Sequence, residues 1–322
     1  MTHTFGNPPP FEDPAFAGAF GIPSAPPQDP PMINYRGHTL QQSFDLRKRM
    51  AISHEKPMLG MFLTAFFHTT VARVAGQAGY DFVCIDWEHT PYNPETIIEM
   101  IKTIQYAGEG QTATIVRVPS LDHQYAAWCL DAGASGIVFP HISTVEQAKA
   151  AVKACRFPPH GHRSFPPSAF QLGFNDGAPN GGGAFENWAR AAVILQIEDV
   201  EGAENAEEIA AVEQIDGLMV GPGDLALSLG LGFADIGTNP RWIELVTKIT
   251  VAAKKHNLAL LVPGMSAAQM GPQLAMGATM VCAANDGAIL TRGLRNELVE
   301  GRKIVETWQN ERQNGKPNGA HA

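Results

Sequence analysis

Charged residues are few in this chain, and cysteines fewer. Asp, Glu, Lys and Arg make up 17% of 322 residues, against 44% hydrophobic ones. Much of the surface must therefore be neutral or apolar, which points weakly to contacts between copies of the chain. The 23 Lys and Arg do not cluster, and 32 acids bring the net charge to −9. Such a balance lacks the basic footprint of a nucleic-acid binder. The four cysteines, Cys84, Cys129, Cys155 and Cys282, are scattered in or beside apolar runs, with no CxxC pair. Neither zinc nor a disulfide framework is indicated, and buried thiols in a reducing compartment are expected. The chain shows no basic segment followed by an apolar one at its start, and no run of 18 apolar residues. A secretory leader and a membrane span are not expected, which leaves a cytoplasmic location as the default.

What is present is a repeating alternation. Residues 1–32 hold nine prolines, so an arm is expected there rather than a packed element. A helix is expected over 36–54, with Leu40, Phe44, Leu46 and Met50 on one side. Short apolar runs follow at 59–63, 82–86, 113–118, 136–142, 193–198, 218–221, 258–263 and 280–284. Helical patterns separate or follow them at 71–78, 94–106, 123–132, 144–155, 203–212, 240–256, 266–276 and 286–309. Eight strand signals alternating with helices predict an α/β chain folded as a (β/α)8 barrel, rather than a doubly wound sheet. The expected parts are a Pro-rich arm at 1–35, a barrel at 36–309 and a polar tail at 310–322. A long loop at 156–188 interrupts the alternation, with Arg156, His160, His162 and Arg163 among its prolines and then a glycine-rich stretch. Loops of this length are usually functional. This one is either a wall of the catalytic mouth or a contact between subunits.

Parallel-sheet proteins keep their sites at the carboxyl ends of their strands, so the polar residues there are the candidates. Glu198 ends the run Val193-Ile194-Leu195-Gln196-Ile197, and Asp224 follows Leu218-Met219-Val220-Gly221-Pro222-Gly223. Two acids on neighbouring strands suit a hard divalent cation with positions left for water and substrate. The plainer reading makes Asp224 a helix N-cap and Glu198 a surface acid. Asp86-Trp87-Glu88-His89 ends the second strand, where His89 is either a general base near neutral pH or a structural loop residue. Arg117 lies inside Ile115-Val116-Arg117-Val118 and is costly to bury without an anionic partner. It either pairs with a structural acid or faces the mouth to bind a carboxylate or a developing enolate oxygen. Around Gly223 the small residues let the amides of Gly223 and Asp224 approach a substrate carboxylate. Lysine is absent from the strand-end segments, which speaks against Schiff-base chemistry.

Taken together, these segments resemble the metal-dependent 2-oxo-acid aldolases of the 4-hydroxy-2-oxoheptanedioate aldolase type, a family that includes macrophomate synthase and 2-dehydro-3-deoxyglucarate aldolase. The likeness spans roughly residues 38–306. It is carried by Ile85-Asp86-Trp87-Glu88-His89, Val116-Arg117, Gly136-Ile137-Val138-Phe139-Pro140-His141, Arg156-Phe157-Pro158-Pro159-His160-Gly161-His162-Arg163, Gln196-Ile197-Glu198 and Gly221-Pro222-Gly223-Asp224-Leu225, in that order. The resemblance implies a barrel of the phosphoenolpyruvate/pyruvate-binding superfamily and a homo-oligomer, a hexamer that exchanges its last helix. It implies Glu198 and Asp224 as ligands of Mg²⁺, Mn²⁺ or Co²⁺, and Gln196 beside the bound pyruvate. It implies Arg117 on the keto oxygen, His89 as acid/base with Asp86 nearby, and the amides of Gly223 and Asp224 on the carboxylate. Asp131 would support the histidine, across a subunit boundary if need be. Trp87 departs from the pattern, since many members carry a small residue there, and a reshaped mouth is expected from it. The segment 164–188 is longer and richer in glycine than in the bacterial catabolic members.

The activity implied is cleavage or formation of 4-hydroxy-2-oxo acids through a metal-bound pyruvate enolate, with oxaloacetate decarboxylation expected alongside. The alternative is a macrophomate-synthase-like enzyme that decarboxylates oxaloacetate and adds the enolate to an unsaturated acceptor. Either way the partner is a small 2-oxo acid. A barrel that has lost catalysis would show a gap among Glu198, Asp224, Arg117 and His89, and all four are present. A phosphosugar isomerase would want a phosphate loop after the seventh or eighth strand. Pro263-Gly264-Met265-Ser266 lacks the glycine pair for one.

Overall fold

Every apolar run identified above forms a strand, and all eight strands pair in parallel. The computed structural model describes residues 45–165 and 190–313. The proline-rich arm, most of the long loop and the end of the chain lie outside the described residues. A short helix, α1 (Leu46–Ala51), precedes β1 (Met58–Leu63), α2 (Thr69–Gln77), β2 (Phe82–Asp86), α3 (Pro94–Ala107), β3 (Ala113–Arg117), α4 (His123–Asp131), β4 (Gly136–Phe139) and α5 (Val145–Cys155). Then come β5 (Ala192–Ile197), α6 (Val200–Glu204), α7 (Ala206–Ala210), β6 (Gly217–Val220), α8 (Pro222–Ser228), α9 (Pro240–Lys255), β7 (Ala259–Val262), α10 (Met270–Ala275), β8 (Met280–Asn285) and α11 (Asp286–Gln313). The strands pair in chain order and β8 returns to β1, which closes the expected (β/α)8 barrel.

Local chemistry sets the helix boundaries. Asn93 and Thr144 cap α3 and α5 with their side chains, and Gln147 returns the bond at α5 to complete a capping box. One helix was expected over 203–212, and two short ones form. The chain leaves the helical path at Asn205, whose side-chain amide donates to the Ser143 carbonyl at 2.9 Å. The last helix runs to Gln313, past the expected end at 309, and Arg312 stacks on the Trp308 ring with 4.7 Å to its centroid. A row of its apolar residues, including Leu294, Leu298, Ile304 and Val305, is exposed. Among the described residues, no helix is long and apolar enough to cross a membrane.

Two apolar layers follow from the two-residue repeat of a strand. Val83, Ile85, Val116, Val193, Leu195 and Ile197 point outward and pack under the helices. Phe82, Cys84, Ile115, Ile194, Met219 and Leu261 point inward and fill the barrel. All four cysteines are free and buried. The helix α1 closes the amino end by inserting Leu46 and Met50 into the inner layer. β6 makes room for it with Gly217, where an added Cβ would lie 2.9 Å from Met50 Cε. Outside this plug, Arg47 Nε pairs with Asp216 at 2.6 Å, and Asp216 also accepts the Val193 amide at 2.9 Å. Removing the plug's inner contact should be costly. Met50→Ala is expected to lower unfolding stability by about 2–5 kcal/mol, read from the urea midpoint. An unchanged midpoint would show that α1 is not part of the core.

Candidate active site

The inward row turns from apolar to polar at the carboxyl end. On β2 the inward series is Phe82, Cys84, Asp86; on β3 it is Ala113, Ile115, Arg117; on β5 it is Ala192, Ile194, Gln196, and Glu198 follows on the same side. The register sets Asp86 beside Arg117, because β2 and β3 pair those two positions directly. All four polar residues are buried.

Arg117 is the hub. Its Nε and Nη2 donate to the two oxygens of Asp86 at 2.9 and 2.6 Å, a planar two-point contact. Its Nη1 donates to Gln196 Oε1 at 3.2 Å, and Glu88 Oε2 lies 3.2 Å from Nε. Burial works against the Arg117 charge, but Asp86 and Glu88 more than offset it and hold the guanidinium cationic. Of five guanidinium N–H groups, these hydrogen bonds use three. Asp86 is thus bound to Arg117 and orients it. His89 stands two residues beyond the outward Trp87, more than half exposed, with Nε2 3.8 Å from Glu88 Oε2.

Gln196 relays this network to Glu198, since its amide nitrogen donates to Glu198 Oε2. Glu198 Oε1 accepts the His141 backbone N–H at 2.7 Å. The imidazole of His141 then bridges two acids: Nδ1 is 3.2 Å from Glu198 Oε1 and Nε2 is 3.1 Å from Glu88 Oε1. His141 holds a left-handed backbone at φ 55°, a conformation that costs a residue with a Cβ about 1–2 kcal/mol. Burial pushes the Glu198 carboxyl up, against the hydrogen bonds from Gln196 and His141 and the His141 charge, and Glu88 pushes it further. Glu88 Oε2 is buried without a hydrogen bond. Two closely set acids, Glu88 and Glu198, form a donor set that fits a divalent cation. Among the described residues, the ionisable groups gathered closely enough for one ion are Glu88, His141 and Glu198, with donor atoms within 4.8 Å of one another.

Asp224 lies in the first turn of α8, directly after β6, half-buried and outside that trio. No side chain caps α8, so the amides of Gly223 and Asp224 have no acceptor within the helix. Asp131 does not meet His89 within one chain. It ends α4 at the amino end of the barrel and pairs with Arg163 at 2.8 Å; burial pushes its carboxyl up and Arg163 pulls it down. Trp87 does not reshape the mouth from inside. Strand alternation turns it outward, where it packs edge-on against Tyr125 at 5.1 Å and donates its indole N–H to the Tyr92 carbonyl at 2.9 Å. The glycine-rich part of the long loop lies outside the described residues. Sequence reasoning assigned no role to Glu88 or His141. The signals were there: Glu88 shares the inward phase of Asp86, and His141 follows a parallel strand as His89 does.

A (β/α)8 barrel with a buried, ion-paired arginine and a cluster of acids at its carboxyl mouth has the polar strand ends at which barrel enzymes carry their active sites. Residues 58–292 match the HpcH/HpaI aldolase/citrate lyase family, and the chain belongs to it. It is a carbon–carbon lyase of the aldolase type. A hydroxypyruvate/pyruvate aldolase of Roseobacter denitrificans is 29% identical, over 81% of this chain and 96% of that protein. A 5-keto-4-deoxy-D-glucarate aldolase of Klebsiella pneumoniae is 34% identical, over 66% of this chain and 80% of that protein. Among solved structures, macrophomate synthase superposes with a TM-score of 0.77 at 30% identity, over 85% of this chain and 94% of that one.

The closeness of β5 and β6 at the site is testable. A Cβ on Gly221 would lie 2.4 Å from Glu198 Cβ and 2.7 Å from its Oε2. Gly221→Ala should therefore destabilise the fold by about 1–3 kcal/mol and weaken Mn²⁺ binding, read by melting temperature and ion titration. Wild-type values for both would mean that Gly221 is not what makes room for Glu198.

Proposed function

We propose that this protein is a divalent-cation-dependent aldolase that cleaves or forms 4-hydroxy-2-oxo acids, with pyruvate as the common product or donor. The observation that carries this reading is the caged Arg117, with two N–H groups left for a developing oxyanion. The 2-oxo oxygen lies against those groups, and the substrate carboxylate lies on the amides of Gly223 and Asp224. Gln196 holds the orientation of Arg117 and Glu198. His89 takes the proton from the 4-hydroxyl as the C3–C4 bond breaks; the bonding pair passes to C3 and C2, and negative charge collects on the 2-oxo oxygen beside Arg117. A proton delivered to C3 then completes pyruvate. Glu198 and Asp224 would hold the cation, whose bound presence supplies Lewis acidity at the 2-oxo group. Mg²⁺, Mn²⁺ and Co²⁺ all suit such donors.

Asp131 is retained as the support of His89 across a subunit boundary in the proposed homo-oligomer, a hexamer. The exposed apolar row of α11 supports assembly between copies, and mass measurement in solution tests it. A cytoplasmic location rests on the four unpaired thiols.

The 0.77 superposition on macrophomate synthase favours a second reading: oxaloacetate loses CO₂ and the enolate adds to an unsaturated acceptor. One experiment separates the two. The protein is stripped with EDTA, each ion is restored separately, and oxaloacetate and a panel of 4-hydroxy-2-oxo acids are supplied. Ion-restored pyruvate release from both is expected of the aldolase; turnover of oxaloacetate alone favours the acceptor reading; full activity in EDTA refutes both. Glu198→Ala should remove ion-dependent turnover. Arg117→Lys should slow turnover by about 100-fold or more, since an ammonium cannot reproduce the guanidinium fork. His89→Ala should slow aldol cleavage more than oxaloacetate decarboxylation, which removes no hydroxyl proton; equal losses would exclude His89 as that base.

A further inference from the structure

The proposed cleavage needs the substrate held at two ends. Arg117, Gln196 and the first amides of α8 serve the pyruvate end. The other end begins at C4, whose hydroxyl faces His89, so the group carried by C4 lies against whatever surrounds that histidine. His89 stands in the loop between β2 and α3. The Trp87 indole N–H closes this loop on the Tyr92 carbonyl at 2.9 Å, and the Tyr92 amide donates to the Thr90 carbonyl at 2.9 Å. His89 and Tyr92 are therefore fixed in one small turn. The Tyr92 ring stacks on Phe67 of the neighbouring loop after β1, with centroids 4.4 Å apart and planes 20° from parallel. Phe67 is buried, while Tyr92 and Phe66 stay 36% and 38% exposed. The loop that carries Phe66 is held as well. The buried carboxylate of Asp286 accepts the amides of Thr64, Ala65 and Phe66 at 3.0, 3.2 and 2.8 Å. Two neighbouring loops, one of them carrying the proposed base, thus offer aromatic surface on a fixed backbone.

Charge points the same way. No Lys or Arg occurs in the stretches that follow the strands at 64–68, 87–93, 118–122, 140–144, 198–199, 221–224 or 263–266. Arg117 is buried and paired with Asp86 and Glu88, and Arg292 of α11 is turned to the Met265 carbonyl at 3.4 Å. A second carboxylate or a phosphate at the far end of a substrate would meet acids at this mouth and lose its hydration without gaining a cation. We infer that the aldehyde released or taken up is uncharged and bears an apolar or aromatic group, and that Phe66 and Tyr92 select it. The inference rests on the aldolase reading and names the half of the substrate that this reading leaves open. Small-molecule sites commonly pair a few polar groups at the reacting centre with apolar and aromatic lining around the rest of the ligand.

The test uses the full-length protein, with Mg²⁺, Mn²⁺ or Co²⁺ supplied, and 4-hydroxy-2-oxo acids that differ only in the C4 substituent: propyl, phenethyl or carboxyethyl. Propyl and carboxyethyl are close in size and differ in charge. The kcat/KM for pyruvate release should be higher by about tenfold or more for the propyl and phenethyl compounds than for the carboxyethyl one. Phe66→Ala should lower the ratio of phenethyl to propyl turnover by about tenfold. Phe66→Arg should raise the carboxyethyl compound above the propyl one. Each ratio is read within one variant, so a partly unfolded sample does not alter it. A carboxyethyl compound turned over by the wild type as well as the propyl one would overturn the inference and leave the aldolase reading standing. Wild-type ratios in both Phe66 variants would overturn it too. No pyruvate from any of the compounds under any ion would instead overturn the aldolase reading, and the inference with it. The wild-type comparison decides the matter even if a variant fails to fold.

Discussion

A guanidinium inside a barrel must be paired on nearly every side, and the mouth of this protein is organised around that requirement. Arg117 is charged and buried. Breaking such a pair by removing one partner typically costs about 3–5 kcal/mol, so the partners are fixed as firmly as the arginine. Asp86 takes two of its N–H groups from β2, Gln196 takes a third from β5, and Glu88 adds charge from just beyond β2. Three strands are thereby held in one polar layer. Glu198 enters that layer through the Gln196 amide, and His141 enters it through Glu198.

The layer below it explains why these groups stay in place. Phe82, Cys84, Ile115, Ile194 and Met219 fill the barrel interior, and α1 seals the far end with Leu46 and Met50. Polar residues at the mouth therefore rest on an apolar floor. Low local polarity strengthens their interactions and raises the penalty for any left unpaired. That balance shows in Glu198, whose carboxyl burial pushes up even though two hydrogen bonds favour its charge. Glu88 Oε2 lies in the same layer without a hydrogen bond, held by the Arg117 charge at 3.2 Å.

The site also divides its labour by strand phase. Inward residues Asp86, Arg117 and Gln196 handle charge, while outward Trp87 locks the loop to α4 through Tyr125. Trp87 is a large departure in sequence with a modest effect on the mouth, because its phase sends the bulk into the helical layer. His89 comes after both, past the end of the strand, and reaches solvent.

The sequence by itself determined the architecture. Eight short apolar runs, separated by helical patterns, have few stable solutions other than a closed parallel barrel, since each strand must bury both faces. It also placed Arg117, Gln196 and Glu198 at the carboxyl ends, because run length and phase are local properties. What it could not determine were the relations across strands. Asp86 reads from sequence as a neighbour of His89, yet register makes it the partner of Arg117. Asp131 reads as a site residue, yet α4 carries it to the opposite end of this chain's barrel, against Arg163. Glu88 and His141 are 53 residues apart in number and gain meaning only when barrel closure and a left-handed turn bring them to 3.1 Å. Local pattern specifies which way a side chain points; only the closed sheet specifies what it meets.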